Sequence, residues 1–295
     1  MTLSNLLIAI DAGGTKCHAI LYDTAQQKTL AQVKTGSANL ASNYSSALSN
    51  IQQACTDVLK QVGLTDSNLA KLAVYAGLAG VNFPQIAKKL SQWQHPFKSF
   101  GFTTDLHLAC YGAHQNSQGN VIIVGTGSCG IAISKTKSVV LGGYGHKLGD
   151  QASGAWIGQQ AVQVSLLTLD GLLKPNVLTQ AICNVSQINS PAELSQYWHT
   201  ANPAQFSELA DIVFSCAQQQ DEQAILIINQ AARYIEQLFN QLLKTQAGPT
   251  CIVGGISKRI TPWLSQSVKT QLSEAQTEPV YGALTLYQNP ALCLN

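Results

Sequence analysis

Two stretches of this chain set glycines and hydroxyls directly behind apolar runs. Leu6–Ile10 leads into Asp11-Ala12-Gly13-Gly14-Thr15-Lys16, and Val121–Val124 leads into Gly125-Thr126-Gly127-Ser128. A second apolar run leaves each turn, Ala19–Leu21 in the first case and Ile131–Ile133 in the other, so both read as strand–turn–strand units. Glycine turns bare a row of backbone N–H groups that can cradle phosphate oxygens. Gly13 and Gly14 have Thr15 and Lys16 beside them, a hydroxyl and a cation. At the second turn Thr126 and Ser128 flank Gly127 with two hydroxyls suited to β- and γ-phosphate oxygens. Asp11 would repel phosphates unless a metal lay between them, so its functional reading is Mg²⁺ coordination, direct or through water. The alternative is a turn Asp bonded to its own backbone. No G-x-x-x-x-G-K-[ST] loop is present.

Other residues could complete such a site. Asp105 follows a strand-like run and opens a helix. It is either a general base accepting a substrate hydroxyl proton or a carboxylate favouring a helix N-terminus electrostatically. Asp150 precedes another helix and carries the same two readings. Asn39, in the polar loop Ser37-Ala38-Asn39, could hydrogen-bond sugar hydroxyls or lie solvated. Gly254 and Gly255 end the apolar run Cys251–Val253 and permit close approach of a flat ring such as adenine. His146 and Lys147 lie in a glycine-rich loop, where a solvated role is the default reading. The six histidines form no H-x-x-x-H or H-E-x-x-H set, which disfavours a metallohydrolase.

The elements that must position these residues repeat. After the first hairpin come a third strand, Thr29–Lys34, and a helix, Tyr44–Val62, spaced apolar at Leu48, Ile51, Cys55, Val58, Leu59 and Val62 and stopped by Gly63. A strand at 72–76, a helix at 84–93, a strand at 99–102 and a helix from Asp105 to about His114 give the order βββαβαβα. The second half restarts at Asn120 with its own hairpin, then the turn Gly142-Gly143-Tyr144-Gly145 and a helix at 152–169. A largely helical stretch, 174–243, reads as inserted relative to the first half. Pro279–Leu286 opens a terminal helix. The expected fold is α/β with two related lobes and a cleft between them: 1–117 joined by the C-terminal helix 279–295, and 118–278.

At 295 residues the chain has room for two domains. Its 45% apolar content suits buried cores, while its 11% charged content is low against roughly 25% for typical soluble domains. A net charge of +2 with no Lys/Arg run leaves no basic footprint for nucleic acid or anionic lipid, so small molecules are the expected partners. No signal h-region or membrane-length apolar stretch is present. The eight scattered cysteines lack any C-x-x-C pair, and reduced thiols in the cytoplasm are expected.

In this order and spacing the chain resembles the sugar kinase/Hsp70/actin superfamily, and within it the BadF/BadG/BcrA/BcrD ATPase family with its N-acetylglucosamine and glucosamine kinases. Asp11–Lys16 is similar to the family's first phosphate motif, Gly125–Ser128 to the second and Val253-Gly254-Gly255 to the adenosine motif. Thr104-Asp105 resembles the segment supplying a catalytic Asp. Ser37-Ala38-Asn39 resembles a hexose-binding loop, and Gly143-Tyr144-Gly145-His146 with Gly149-Asp150 a sugar-binding loop of acetylated-sugar kinases. At Ala79 the eukaryotic N-acetylglucosamine kinases have Ser.

The resemblance implies two ribonuclease-H-like (actin-like ATPase) lobes with a helical insertion in the second, use of ATP and Mg²⁺, and a homodimer. It implies an amino-sugar kinase acting at O6, with Asp105 as base and Asp11 on the metal, and leaves the choice between N-acetyl-D-glucosamine and the free amine open. The sugar would meet Asn39, Asp105, Gly143, Gly145, His146 and Asp150. A free hexosamine is an ammonium ion seeking a carboxylate, whereas an acetamido group is neutral and seeks an amide partner and an apolar slot. The loop Tyr144–Asp150 holds His146, Lys147 and only Asp150, which tilts the expectation to the acetylated sugar, with glucosamine as the alternative. A dehydratase-activating ATPase would need clustered cysteines for an Fe–S centre. A sugar-sensing regulator would need a DNA-binding segment.

Overall fold

The computed structural model describes residues 2–294. The chain divides into two compact units. One comprises the residues up to Gly119, Ile133–Lys137 and the segment from Ala275 onward; the other comprises Asn120–Ala132 and Ser138–Glu274.

In the first unit β1 (Leu6–Ala12), β2 (Cys17–Asp23) and β3 (Lys28–Thr35) form an antiparallel meander. After α1 (Tyr44–Lys60) come β4 (Ala73–Leu78), α2 (Pro84–Ser91), β5 (Ser99–Thr104) and α3 (Asp105–His114), and the sheet order is β3-β2-β1-β4-β5. β4 lies parallel to both β1 and β5. β1 is apolar on both faces because both are covered. Leu6, Ile8, Ile10 and Ala12 point into a core with Ile51, Cys55, Val58 and Leu59 of α1. α1 starts at Asn43, whose side chain accepts from Ser46 N–H, and its C-terminal turn passes into Gly63 at φ +75°.

α3 lies against the opposite face. A Cβ on Gly77 of β4 would run into Leu108, so the missing side chain lets α3 sit close to the sheet. The C-terminal helix, Gly282–Gln288, meets α3 through a second such contact, since a Cβ on Gly282 would overlap the Leu108 carbonyl. Thr277 Oγ1 donates to Gly112 O at 2.7 Å and Gln276 N–H to Ala113 O at 2.8 Å, binding the far end of α3. A 3-10 turn, Pro279–Tyr281, precedes the C-terminal helix, so helical structure begins where the proline suggested but not as one α-helix.

The second unit carries β6 (Gly119–Val124), β7 (Ser128–Ile133), β8 (Ser138–Gly142) and β9 (Thr250–Val253) in the order β8-β7-β6-β9, with β6 and β9 parallel. The helices before β9 are α4 (Gly154–Leu169), α5 (Val177–Ser186), α6 (Pro191–His199), α7 (Pro203–Glu208), α8 (Ala210–Gln218) and α9 (Glu222–Leu243). One continuous core joins Ile122 and Val124 to Ile157 and Val162 of α4 and to Ile228, Ile235 and Phe239 of α9. Asp221 accepts from both Leu178 N–H and Ala224 N–H, tying the starts of α5 and α9 together. Seven of the eight thiols are buried, and no helix among the described residues is long and apolar enough to cross a membrane.

Candidate active site

The strand register of the first unit lines up Lys34, His18, Asp11, Gly77 and Thr103 in one row across five strands. Period-two alternation puts them on one sheet face, the face that carries α3. Asp11 is half-buried. Its pKa is raised to about 7, first by burial, then by the charges of Asp105 and Glu278, with Lys16 opposing. Asp105 begins α3, and burial raises its pKa to about 6 against the pull of two backbone N–H groups, those of Leu106 and of Asp105 itself. The Leu106 N–H donates to Oδ1 at 3.0 Å. Both carboxylates therefore hold protons more tightly than ordinary ones. His18 is buried and shifted down by desolvation, with Nε2 3.2 Å from Gln32 Oε1 and Nδ1 3.7 Å from Glu278.

The first glycine turn closes through Gly13 N–H to Lys16 O at 2.9 Å and leaves Gly14, Thr15 and Lys16 exposed. Gly13 O accepts from Ala38 N–H at 3.0 Å, which brings the Ser37–Asn39 loop to the turn. Asn39 Oδ1 accepts from Ala41 and Ser42 N–H, at 2.9 and 3.2 Å. Its Nδ2 lies 4.0 Å from where a Gly14 Cβ would sit. With the oxygen engaged, Asn39 can offer a ligand only its N–H₂ group.

In the second unit the turn's carbonyls are engaged. Gly125 O accepts from Gly154 N–H at 2.8 Å and Thr126 O from Ala155 N–H at 3.4 Å, docking the turn on the N-terminus of α4. Ser128 is buried and its hydroxyl donates to Gln151 O at 2.5 Å. Of the two hydroxyls expected at this turn, that of Ser128 is thus engaged by the fold, while Thr126 is half-buried. The Asp150 carboxylate packs on the turn: Oδ2 is 2.9 Å from where a Gly127 Cβ would sit, and Oδ1 accepts from Gly145 N–H at 3.3 Å. Burial raises the Asp150 pKa, while the N–H groups of Gly145 and Ser128 and the His146 charge oppose it. Between residues 142 and 152 the backbone is left-handed at Gly142, Gly143, Gly145, Asp150 and Ala152. For the last two this strain costs of order 1 kcal/mol each, held by the surrounding packing.

His146 has both ring nitrogens shielded from solvent and without hydrogen-bond partners, and its ring centroid is 5.3 Å from that of Phe206. Burial lowers its pKa, so the imidazole is neutral near pH 7. Gly254, at φ +106°, ends β9, and Ile256 N–H donates to Val124 O at 3.0 Å. Exposed Gly254 and Gly255 thus lie beside the strand residue that enters the second glycine turn.

Each unit therefore gathers its own set. The first holds Asp11, Gly13, Gly14, Thr15, Lys16, Asn39 and Asp105; the second holds Thr126, Gly127, Ser128, Gly143, Gly145, His146, Asp150, Gly254 and Gly255. Three residues missed by sequence reasoning join them. Glu278 acts on Asp11 and His18 from the far end of the chain. Gln151 fixes Ser128 through a carbonyl, which no residue type advertises. Tyr234 of α9 brings its hydroxyl to 2.8 Å from a Gly142 Cβ position and lies within electrostatic reach of Asp150, although its spacing reads only as a helix face.

Residues 8–286 match the BadF/BadG/BcrA/BcrD ATPase family. The chain is 33% identical to the glucosamine kinase GspK of Vibrio cholerae serotype O1 over 97% of each chain. It is 26% identical to an N-acetyl-D-glucosamine kinase of Dictyostelium discoideum over 81% of this chain and 79% of that one. A solved structure from Chromobacterium violaceum superposes with a TM-score of 0.89 at 28% identity, over 97% of this chain and 99% of that one. The two-sheet α/β architecture is that of the sugar kinase/actin-like ATPase fold.

Proposed function

Since the chain belongs to the BadF/BadG/BcrA/BcrD ATPase family, we propose that it is an ATP-dependent amino-sugar kinase that phosphorylates O6 of N-acetyl-D-glucosamine, with Asp105 as general base. The observation that carries the proposal is the pair Asp11 and Asp105, two carboxylates of raised pKa beside an exposed glycine turn. Asp105 is ionised at neutral pH yet basic enough to receive the proton of an attacking hydroxyl. With Oδ1 held by Leu106 N–H, Oδ2 takes that proton. Gly13, Gly14, Thr15, Lys16, Thr126 and Gly127 bind the phosphates, Ser128 keeps the second turn in shape, and Gly254 and Gly255 admit the adenine ring. Asn39 donates to a sugar hydroxyl, and Asp150, Gly143, Gly145 and His146 orient the ring.

Asp11 suits Mg²⁺: it is an oxygen donor of partly open, negative surroundings, and the described residues contain no group of three or more His, Cys, Asp or Glu that would make a closed protein cage. Mg²⁺ is commonly held by one or two carboxylates with phosphates and water, and supplies charge neutralisation there. The acetylated sugar is favoured by a neutral His146 with unsatisfied ring nitrogens against Phe206, which offers an acetamido group both an apolar wall and a hydrogen bond. The 33% identity to a glucosamine kinase along the whole chain supports the free amine as the second reading. A cytoplasmic homodimer completes the proposal.

A coupled ADP-release assay over N-acetylglucosamine, glucosamine, N-acetylmannosamine, N-acetylmuramic acid and glucose decides between the readings, with the largest kcat/KM expected for N-acetylglucosamine. A preference for glucosamine would replace that substrate, and turnover of none would end the kinase proposal. Asp105→Asn should abolish turnover and leave sugar affinity within an order of magnitude; retained turnover removes Asp105 as base.

A further inference from the structure

Asp105 is the first residue of α3, and what fixes that helix start is an unusual ring of two hydrogen bonds. Thr104, the N-cap, accepts from the His107 backbone N–H at 3.1 Å, and the same hydroxyl lies 2.8 Å from His107 Nδ1. Thr104 is buried at 7% exposure. Its oxygen accepts from the amide, so its own proton needs an acceptor, and a buried hydroxyl proton left unmatched is costly. His107 Nδ1 is the acceptor in reach, provided it is bare. Desolvation lowers the His107 pKa and favours a neutral ring, and acceptance of the Thr104 proton at Nδ1 assigns the ring proton to Nε2. The ring also packs on Tyr111 one turn later, with centroids 6.2 Å apart, which limits its rotation.

We propose that His107 is a positioning residue for phosphoryl transfer: through Thr104 it locks the first turn of α3 and thereby the orientation of Asp105. The proposal rests on Asp105 being the base. The Asp105 carboxylate is folded onto the Leu106 amide of that same turn. Fraying of the turn would release both its backbone reference and its hydrogen bond. The rest of α3 is held independently, by Gly77 against the sheet and by Thr277 at the far end. Loss of the ring should therefore loosen the catalytic end without displacing the helix. His107 is not among the residues assigned to ATP or to the sugar, so the effect belongs in kcat.

The test uses the full chain in steady-state kinetics. His107→Leu removes the acceptor and keeps bulk, His107→Asn offers Oδ1 in place of Nδ1, and Thr104→Val removes the hydroxyl. A misplacement of about 1 Å can lower a rate by about 100-fold. His107→Leu and Thr104→Val are each expected to lower kcat by about 10- to 100-fold, with both KM values within about threefold. The double variant should be no worse than either single one, and His107→Asn should recover most of the rate. A leucine variant within twofold of wild-type kcat, additive losses in the double variant, or no recovery by asparagine would each overturn the proposal. If His107→Leu fails to fold, His107→Ala takes its place against His107→Asn. In the Asp105→Asn background His107→Leu should change nothing further. Turnover retained by Asp105→Asn defeats the base assignment; loss there with an innocuous His107→Leu defeats only the positioning role.

Discussion

Replacing Asp11 with Asn should stabilise the ligand-free protein while abolishing its activity. Burial and the charges of Asp105 and Glu278 lift the Asp11 pKa from 3.8 to about 7. At about 1.4 kcal/mol per pKa unit the full shift corresponds to roughly 4 kcal/mol against the ionised folded state. Asp11 is only half-buried, and water screens part of this, so about 1–2 kcal/mol is the expected gain. The Asp11–Asp105 repulsion is one interaction and is counted once, in the Asp11 shift. The folded protein binds the Asp11 proton more tightly than the unfolded chain does. Stability is therefore lost as pH rises from near 4 through about 7, and the penalty is complete at pH 8. Thermal unfolding by circular dichroism, without nucleotide or divalent cation, should show Asp11→Asn melting about 2–6 °C above wild type at pH 8. At pH 5, where folded wild-type Asp11 is largely protonated, that gain should be smaller than at pH 8. An asparagine variant no more stable than wild type at pH 8, or equally stabilised at both pH values, would refute this account of Asp11.

Turnover should fall about tenfold per pH unit below about 6, because protonated Asp105 cannot accept the sugar proton; a kcat profile flat down to pH 5 would contradict that. Gly254→Ala asks alanine to adopt φ +106° and sets a methyl group against the Val124 carbonyl, so it should lower stability by about 1–3 kcal/mol. It should also raise the KM for ATP much more than that for the sugar; equal effects on both would detach Gly254 from the nucleotide.

The order of strands and helices around the two turns was legible because apolar runs and punctuating glycines are local signals. β3, α1, β5 and α3 lie where spacing places them, and the helical stretch before Leu243 resolves into α5 to α9. β8, Ser138–Gly142, was not foreseen: it is short, partly exposed and ends in the glycines that suggested only a turn. The candidate residues could be named from the sequence, but their hydrogen-bond states were not legible there. Ser128 looked like a free hydroxyl, and its engagement depends on a carbonyl 23 residues away. Asn39 looked like a two-way hydrogen-bonding group, and local backbone amides take its oxygen. Glu278 reaches Asp11 only because the chain's last segment returns to α3, a tertiary event without a local signature.

Gly127 is kept bare by an oxygen from another residue, the Asp150 carboxylate, whereas the space beside Gly80 is closed by the Ala41 backbone as well as by Asn39 Oδ1. Gly127 is therefore half of a genetic pair. A side chain at 127 becomes tolerable only once 150 has shortened, yet a shorter residue at 150 gives up the carboxylate that accepts from Gly145 N–H. No such release exists at 80, where Ala41 and a left-handed backbone remain whatever stands at 39. The order in which changes accumulate at 150 and 127 is thus constrained: loop residue before turn residue.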